Sequence, residues 1–292
     1  LTHVAASTSR LKFGTAVAIA FARSPMIVAH TAWDLAQQSQ GRFILGLGTQ
    51  VKAHIERRFG MMWTPPVPRL REYVQAMRAV WNTWQTGAKL NYRGEAYKLT
   101  LMSPFFAPGP IANPNIPIFI AGVGGPLCRL AGEVADGFHV HPYHTRQYLS
   151  EVVLPAIDAG AQKAGREQKS IEVATMAFVA LNESEIEAQR SQVAFYASTP
   201  SYRPVLDLHG WGSIGDQLSA LAARGQWGEM PKLISDAMLE AFVIVATWDT
   251  LAGKLRAKYD GLLDRAGLYR PYVPGAEDAQ WSRLAADVTR FA

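Results

Sequence analysis

Cysteine is nearly absent. The 292-residue chain has one, Cys128, so it cannot form a disulfide within itself. No apolar run reaches the ~18 residues that a membrane-spanning helix needs, and no signal-peptide pattern is visible. The chain begins at Leu1, and Leu1 to Arg10 read as the end of a helix. Charge is also sparse, with 18% charged residues, 29 basic against 24 acidic. The densest cluster, Glu56-Arg57-Arg58, carries its own acid, so a basic face for nucleic acid is missing. There is no G-x-S-x-G elbow to anchor serine-hydrolase chemistry, no recognisable Cys/His motif, no repeat and no low-complexity tract. These absences lead to the expectation of a cytoplasmic protein whose partner is a small molecule.

What is present points to a large buried core: 49% hydrophobic residues, eight Trp and twelve Phe. Length alone allows roughly two domains, but α/β barrels run to about 250 residues as one unit, so a single domain over 1–292 is expected. The pattern alternates between strand and helix. Strand patterns lie near 11–17, 43–48, 118–121, 137–141, 171–181 and 267–272, with a brief apolar segment at 242–246. FILGLG at 43–48 has the continuous apolar character of a parallel strand covered on both faces. Helical patterns cover 25–38, 52–59, 69–84, Gly125 to Ala135, 147–164, 183–197, 249–259 and 278–291, and Gly41 is a helix stop. Segments 88–117 and 199–240 break the alternation and read as insertions. Such alternation implies a parallel sheet with helical crossovers. Six strands fall short of the eight of a closed barrel. The fold is then an open doubly wound sheet, or a barrel whose first two β/α units are missing from the chain.

Unusual residues follow directly after the strands: Thr15-Ala16, Gly48-Thr49-Gln50, Gly122-Val123-Gly124-Gly125 and His141-Pro142-Tyr143-His144. In a parallel barrel such loops share the face that carries the active site. Gly122 to Gly125 reads equally as a phosphate-binding helix start or as a tight turn. Leu127 stands where a dinucleotide fingerprint needs its third glycine. His139 and His141 share one strand face, as zinc ligands do, but later ligands are scarce and no metal is expected. His54, His141 and His144 are weak candidates for catalytic or pocket groups, and no catalytic residue is assigned. Plainer readings stand beside these: an exposed helix position for His54, surface or supporting histidines for the others. Trp81 and Trp84 read as core or interface packing, and Cys128 as buried.

LKFGTAVAIAFARSPMIVAHTAWDLAQQSQGRFILGLGTQ and IPIFIAGVGGPLCRLAGEVADGFHVHP together resemble the bacterial luciferase-like monooxygenase superfamily. VKAHIERRFG and AFVIVATWDTLAGKLRAKYDGLLDRAGLYRPY are similar to its coenzyme F420-dependent oxidoreductases. The resemblance implies a (β/α)₈ barrel and a deazaflavin cofactor, F420, at the C-terminal strand ends, with FMN as the alternative. It implies a non-prolyl cis peptide at Ala16-Val17, forming a bulge behind the ring. Cofactor contacts are then expected at Thr15, Ala16, Val17, Gly48, Thr49, Gly122, Val123, Gly124 and Gly125. The implied reaction is hydride transfer between F420 and an unknown organic substrate. A reduced-FMN monooxygenase and a catalytically silent flavin-binding or scaffold homologue are the alternatives. The resemblance starts at the third barrel strand, so the catalytic His and Trp that relatives carry around the first strands have no counterpart. Val51 stands where sugar-phosphate dehydrogenase relatives have Glu. Homodimers are common in the family, and the helix Arg69 to Trp84 is a candidate pairing surface.

Overall fold

The structure, a computed structural model, describes residues 1–289. Its contacts divide the chain into two compact units. The first comprises Leu1–Gly122, Pro126–His139 and Ala156–Ile171; the second comprises Val123–Gly125, Val140–Pro155 and the chain from Glu172 on.

The first unit is built on strands β1 (Phe13–Gly14), β2 (Ala18–Ile19) and β3 (Phe43–Gly48). An antiparallel hairpin of β4 (Tyr92–Arg93) and β5 (Lys98–Leu99) stands apart, in the insertion at 88–117. β6 (Ile118–Gly122) pairs in parallel with β3, as do β1 and β2, and β7 (Gly137–Val140) lies beside β6. β3 is buried along nearly its whole length, as its unbroken apolar sequence implies.

The predicted strand 11–17 is interrupted. Gly14 faces Ile44 and Ala18 faces Leu47, so four steps along one chain match three along the other. One extra residue is accommodated as a bulge over Thr15–Val17, and its Ala16-Val17 peptide is cis. The bulge breaks the backbone ladder, and the Thr15 side chain replaces it. Its Oγ1 donates to the Gly46 carbonyl at 2.7 Å and accepts from the Gly46 N–H at 2.9 Å. A Cβ at Gly46 would collide with the Thr15 carbonyl oxygen, and one at Gly48 would strike Cγ2 of Val17 at 2.5 Å. The glycines of FILGLG therefore let the bulge lie flat on β3.

Helices flank these strands where the sequence places them. Pro25–Gln38 is capped by Ser24, whose Oγ accepts from Met26 N–H, and Pro25 opens its first turn. Gly41 ends it at φ 82°, donating to the Ala36 carbonyl. Pro66–Thr86 packs against it and stops at Gly87. Trp81 and Trp84 are core: Trp81 Nε1 donates to the Ala29 carbonyl, and Trp84 meets Trp33 edge-on at 5.6 Å. These two side chains are thus spent inside the unit. Arg42, from the G-R-F segment, fastens the N-terminal helix Thr2–Ser7 by donating to Ala5 O, Thr8 Oγ1 and Leu11 O.

The second unit carries β8 (Glu172–Ala177), β9 (Val179–Ala180), β10 (Ile244–Val245) and β11 (Arg265–Leu268). β11 pairs in parallel with β8, and β10 with β9. Asn182 caps the helix Glu183–Ala197, accepting from Glu185 N–H while Glu185 accepts from Leu181 N–H. The insertion at 199–240 is mostly short helices, among them Arg203–Leu208 and Gly212–Ala223. The last helix is described over Asp278–Thr289; the remainder predicted, to Phe291, lies outside the described residues. One strand-starting device occurs in both units. Asp136 accepts from Ile118 N–H and donates its own N–H to Ile118 O, and Asp264 does the same with Val173. The Asp of A-D-G-F thus sets strand register.

A Gly46→Ala substitution is expected to destabilise the protein by at least about 1–3 kcal/mol, through overpacking against the bulge. Thr15→Val should cost about 1–3 kcal/mol, because the buried Gly46 N–H and C=O lose their partner. Urea denaturation checks both; an unchanged midpoint for Gly46→Ala would show that the bulge does not rest on β3 as described.

Candidate active site

In the first unit, register brings the strand ends level. Ile19 faces Gly48, and Gly48 faces Ala121, all in parallel pairing. The segments that leave this end are therefore Thr49-Gln50 after β3 and Gly122 at the end of β6, beside the bulge Thr15–Val17. Thr49 is buried, and its Oγ1 donates to the Gln50 carbonyl. Gln50 takes a left-handed φ of 58°, unusual for a side chain of its size. Val17, by contrast, is exposed. Gly122 is overlaid by Leu127, whose Cδ1 would lie 2.7 Å from an added Cβ. That packing occupies the position where a dinucleotide fingerprint uses its third glycine. His54 is exposed on the helix Lys52–Arg57. His139 packs on Phe119 with centroids 5.0 Å apart.

In the second unit, Val123 is buried and its carbonyl accepts from Tyr148 Oη, while Gly124 and Gly125 are half-exposed. A helix, Gly125–Val134, begins at Gly125. The H-P-Y-H segment leads into an aromatic cluster. His141 lies 4.7 Å from Tyr196 and 4.8 Å from Tyr202 between ring centroids, and Tyr143 stacks on Phe242 at 4.4 Å. His141 Nδ1 accepts from the Tyr143 N–H, so its proton sits on Nε2, facing Tyr202 Oη at 3.4 Å. Tyr143 Oη is buried with no hydrogen-bond partner among the described residues. His144 is fully engaged: Nδ1–H donates to His141 O at 2.8 Å, and Nε2 accepts from Tyr259 Oη at 3.1 Å. It has no ring nitrogen left for a ligand. His209 Nε2 pairs with Thr145 Oγ1, and its ring stacks on Trp211. Among the described residues, no group of three or more His, Cys, Asp or Glu could hold a metal, and no helix is long and apolar enough to cross a membrane.

The sequence did not single out Tyr196, Tyr202, Phe242 or Lys258. For Tyr196 and Tyr202 the available signal was the density of aromatics in FYASTPSYRPVLDLHGW, which has no helical or strand period; Phe242 and Lys258 carried none.

The family model for luciferase-like monooxygenases matches residues 1–265. The chain belongs to this family. Relatives of this luciferase-like protein include an uncharacterized protein of Mycobacterium tuberculosis, 47% identical over 264 residues, covering 88% of this chain and 78% of the relative. A 5,10-methylenetetrahydromethanopterin reductase of Archaeoglobus fulgidus is 30% identical, over 87% of this chain and 75% of its own. Among solved structures, the coenzyme F420-dependent tetrahydromethanopterin reductase of Methanopyrus kandleri superposes with a TM-score of 0.78 at 24% identity, covering 100% of this chain and 86% of that one. The luciferase-like protein therefore has the family's TIM-barrel fold, and it is an oxidoreductase or monooxygenase.

Burial sets the protonation of its second unit. His144 is held down to about 3, chiefly by burial and further by the Lys258 cation, and His141 is held down to about 4 by burial. Burial raises the Tyr143, Tyr202 and Tyr259 hydroxyls and pushes Lys258 down to about 7. Cys128, buried in its helix, is pushed up to about 12 and stays a thiol.

The histidine shifts have a signed consequence. Between the ordinary value of 6.5 and the native values of about 3 to 4, the unfolded chain binds more protons than the folded one. Their contribution to stability is present above pH 6.5 and is lost as pH falls through that window. Urea midpoints should therefore drop steadily from pH 7 to 4. His144→Asn should lower stability at pH 7 by about 1–3 kcal/mol, since Tyr259 loses its acceptor, yet show a shallower acid dependence. An unaltered slope would mean that His144 titrates normally in the native state.

Proposed function

We propose that this luciferase-like oxidoreductase transfers a hydride between coenzyme F420 and an organic substrate. The observation that carries the reading is the level set of strand ends in the first unit, with its bulge at Thr15–Val17 and glycine-lined β3. The relatives narrow the cofactor. One is a methylenetetrahydromethanopterin reductase, and a solved reductase of similar fold is named as F420-dependent.

The residues present fit a planar redox ring. Gly46 and Gly48 put no side chain between β3 and the bulge, and Val17 leaves an apolar surface exposed beside Gly48. In this reading, Thr15, Ala16 and Val17 back the ring, and Gly48 and Thr49 line its edge. The half-exposed Gly124 and Gly125, with Gly122 and Val123, offer backbone to a phosphate at a helix start. When bound, the deazaflavin supplies the two-electron chemistry, and the protein supplies orientation and exclusion of water. His141 is the candidate polar group of the aromatic cluster: neutral at pH 7, it presents Nε2–H and cannot serve as a cationic acid there.

Titration of the protein with F420 and with FMN, read by ligand fluorescence, tests the reading. F420 should bind at least tenfold more tightly, and Val17→Asp should weaken it at least tenfold, because a carboxylate would be desolvated under the ring. Circular dichroism of the variant should be unchanged, as Val17 is exposed. Tight FMN binding without F420 affinity, with oxygen consumption by reduced FMN, would make the protein a flavin monooxygenase instead. Binding without turnover across F420H₂ acceptors would make it a silent homologue.

A further inference from the structure

The second unit contains a cavity of about 710 Å³ that the reading above does not use. Its wall includes Thr145, Arg146, His209, Glu240, Lys254 and Lys258. Three of these side chains are cations, and their hydrogen bonds go only to backbone. Arg146 Nη1 donates to Ala257 O and Lys258 O; Lys254 Nζ donates to Val245 O; Lys258 Nζ donates to Ala241 O at 3.1 Å and Phe242 O at 2.7 Å. Among the described residues, none of the three has a carboxylate partner. Glu240 shares the wall without forming an ion pair among the described residues. Arg146 keeps Nε–H and Nη2–H unused, and each lysine keeps at least one N–H.

We propose that this cavity binds an oxyanion, the phosphate or carboxylate of a small molecule. Arg146 and Lys254 are exposed at the rim and Lys258 is half-buried behind them, so the wall presents positive charge from solvent inward with no carboxylate bonded to it. Carbonyl oxygens hold the three side chains in place but neutralise none of them. An oxyanion would supply the missing charge and accept the idle donors, and the guanidinium of Arg146 suits a two-oxygen contact. Lys258 gives a second indication. Burial lowers its pKa to about 7, so it is only partly charged at neutral pH, and an anion beside it would favour the charged form. His209, fixed by Thr145, places a further ring nitrogen on the same wall. The cavity lies wholly within one unit, so the inference does not rest on the identity of the redox cofactor.

Isothermal titration of the full chain with inorganic phosphate, and separately with acetate, tests this at pH 6.5. Saturable binding of at least one is expected. Lys254→Gln, at an exposed position, should weaken it at least fivefold while leaving the anion-free melting temperature unchanged. Arg146→Gln should weaken it more, and if that variant folds poorly the lysine variant still decides. Lys232→Gln, away from the cavity and paired with Glu229, should bind as the parent does. No saturable binding, or equal affinity in the parent and Lys254→Gln, overturns the proposal. F420 affinity, read separately by fluorescence, is unaffected by that failure. Competition between phosphate and F420 would assign the site to the cofactor's own anionic tail, and simultaneous binding would assign it to the substrate.

Discussion

The architecture of the first unit depends on a single hydroxyl. Between Gly14 and Ala18 the chain carries one residue more than β3 can match, and backbone groups of β3 would be left unpaired beneath the bulge. Thr15 satisfies both the N–H and the carbonyl of Gly46 with one Oγ1. A buried peptide left without partners costs about 1–3 kcal/mol per group, so without this clasp the strand has reason to slide back into regular pairing. Regular pairing would turn Val17 to the other face. The clasp works because residue 46 lacks a side chain and the bulge can therefore touch β3. The shape of this strand end is thus a consequence of where β3 has glycine and where its neighbour has threonine.

Most of the scaffold was legible in the sequence because its signals are local. Ser24-Pro25 and Gly41 delimit a helix through caps that act within a turn, and 25–38 is found as read. FILGLG announces a strand buried on both faces. The interruption at 15–17 was not legible from pattern, because T-A-V is as good a strand sequence as its surroundings. What breaks it is register against β3, a property of two segments at once. The cis peptide at Ala16-Val17 was legible only through family resemblance. A-D-G-F was read as part of a family signature. Its Asp136 proves to be a strand-starting bracket, repeated by Asp264 in a context with no sequence likeness, D-R-A-G.

The chemistry of the second unit was less legible. His141 and His144 were both weak candidates for pocket groups, and the fold gives them different work. His144 is locked between His141 O and Tyr259, whereas His141 uses one nitrogen on the backbone and turns the other toward Tyr202. The tyrosines that surround His141 come from the helix Glu183–Ala197 and from the insertion after it. No periodicity connects those positions with H-P-Y-H, so only tertiary packing could reveal the cluster.

That packing also limits what the second unit can do with charge. Its buried histidines are pushed toward the neutral ring and its buried tyrosines toward the neutral phenol, all by the same loss of water. Histidines held neutral in this way are poorly suited to proton shuttling at neutral pH. Charge is instead concentrated at Arg146, Lys254 and Lys258, where carbonyls fix the side chains but do not cancel them. Neutral aromatics and cations are thus kept apart within the unit, and the proposed oxyanion would meet the cations rather than the aromatic cluster.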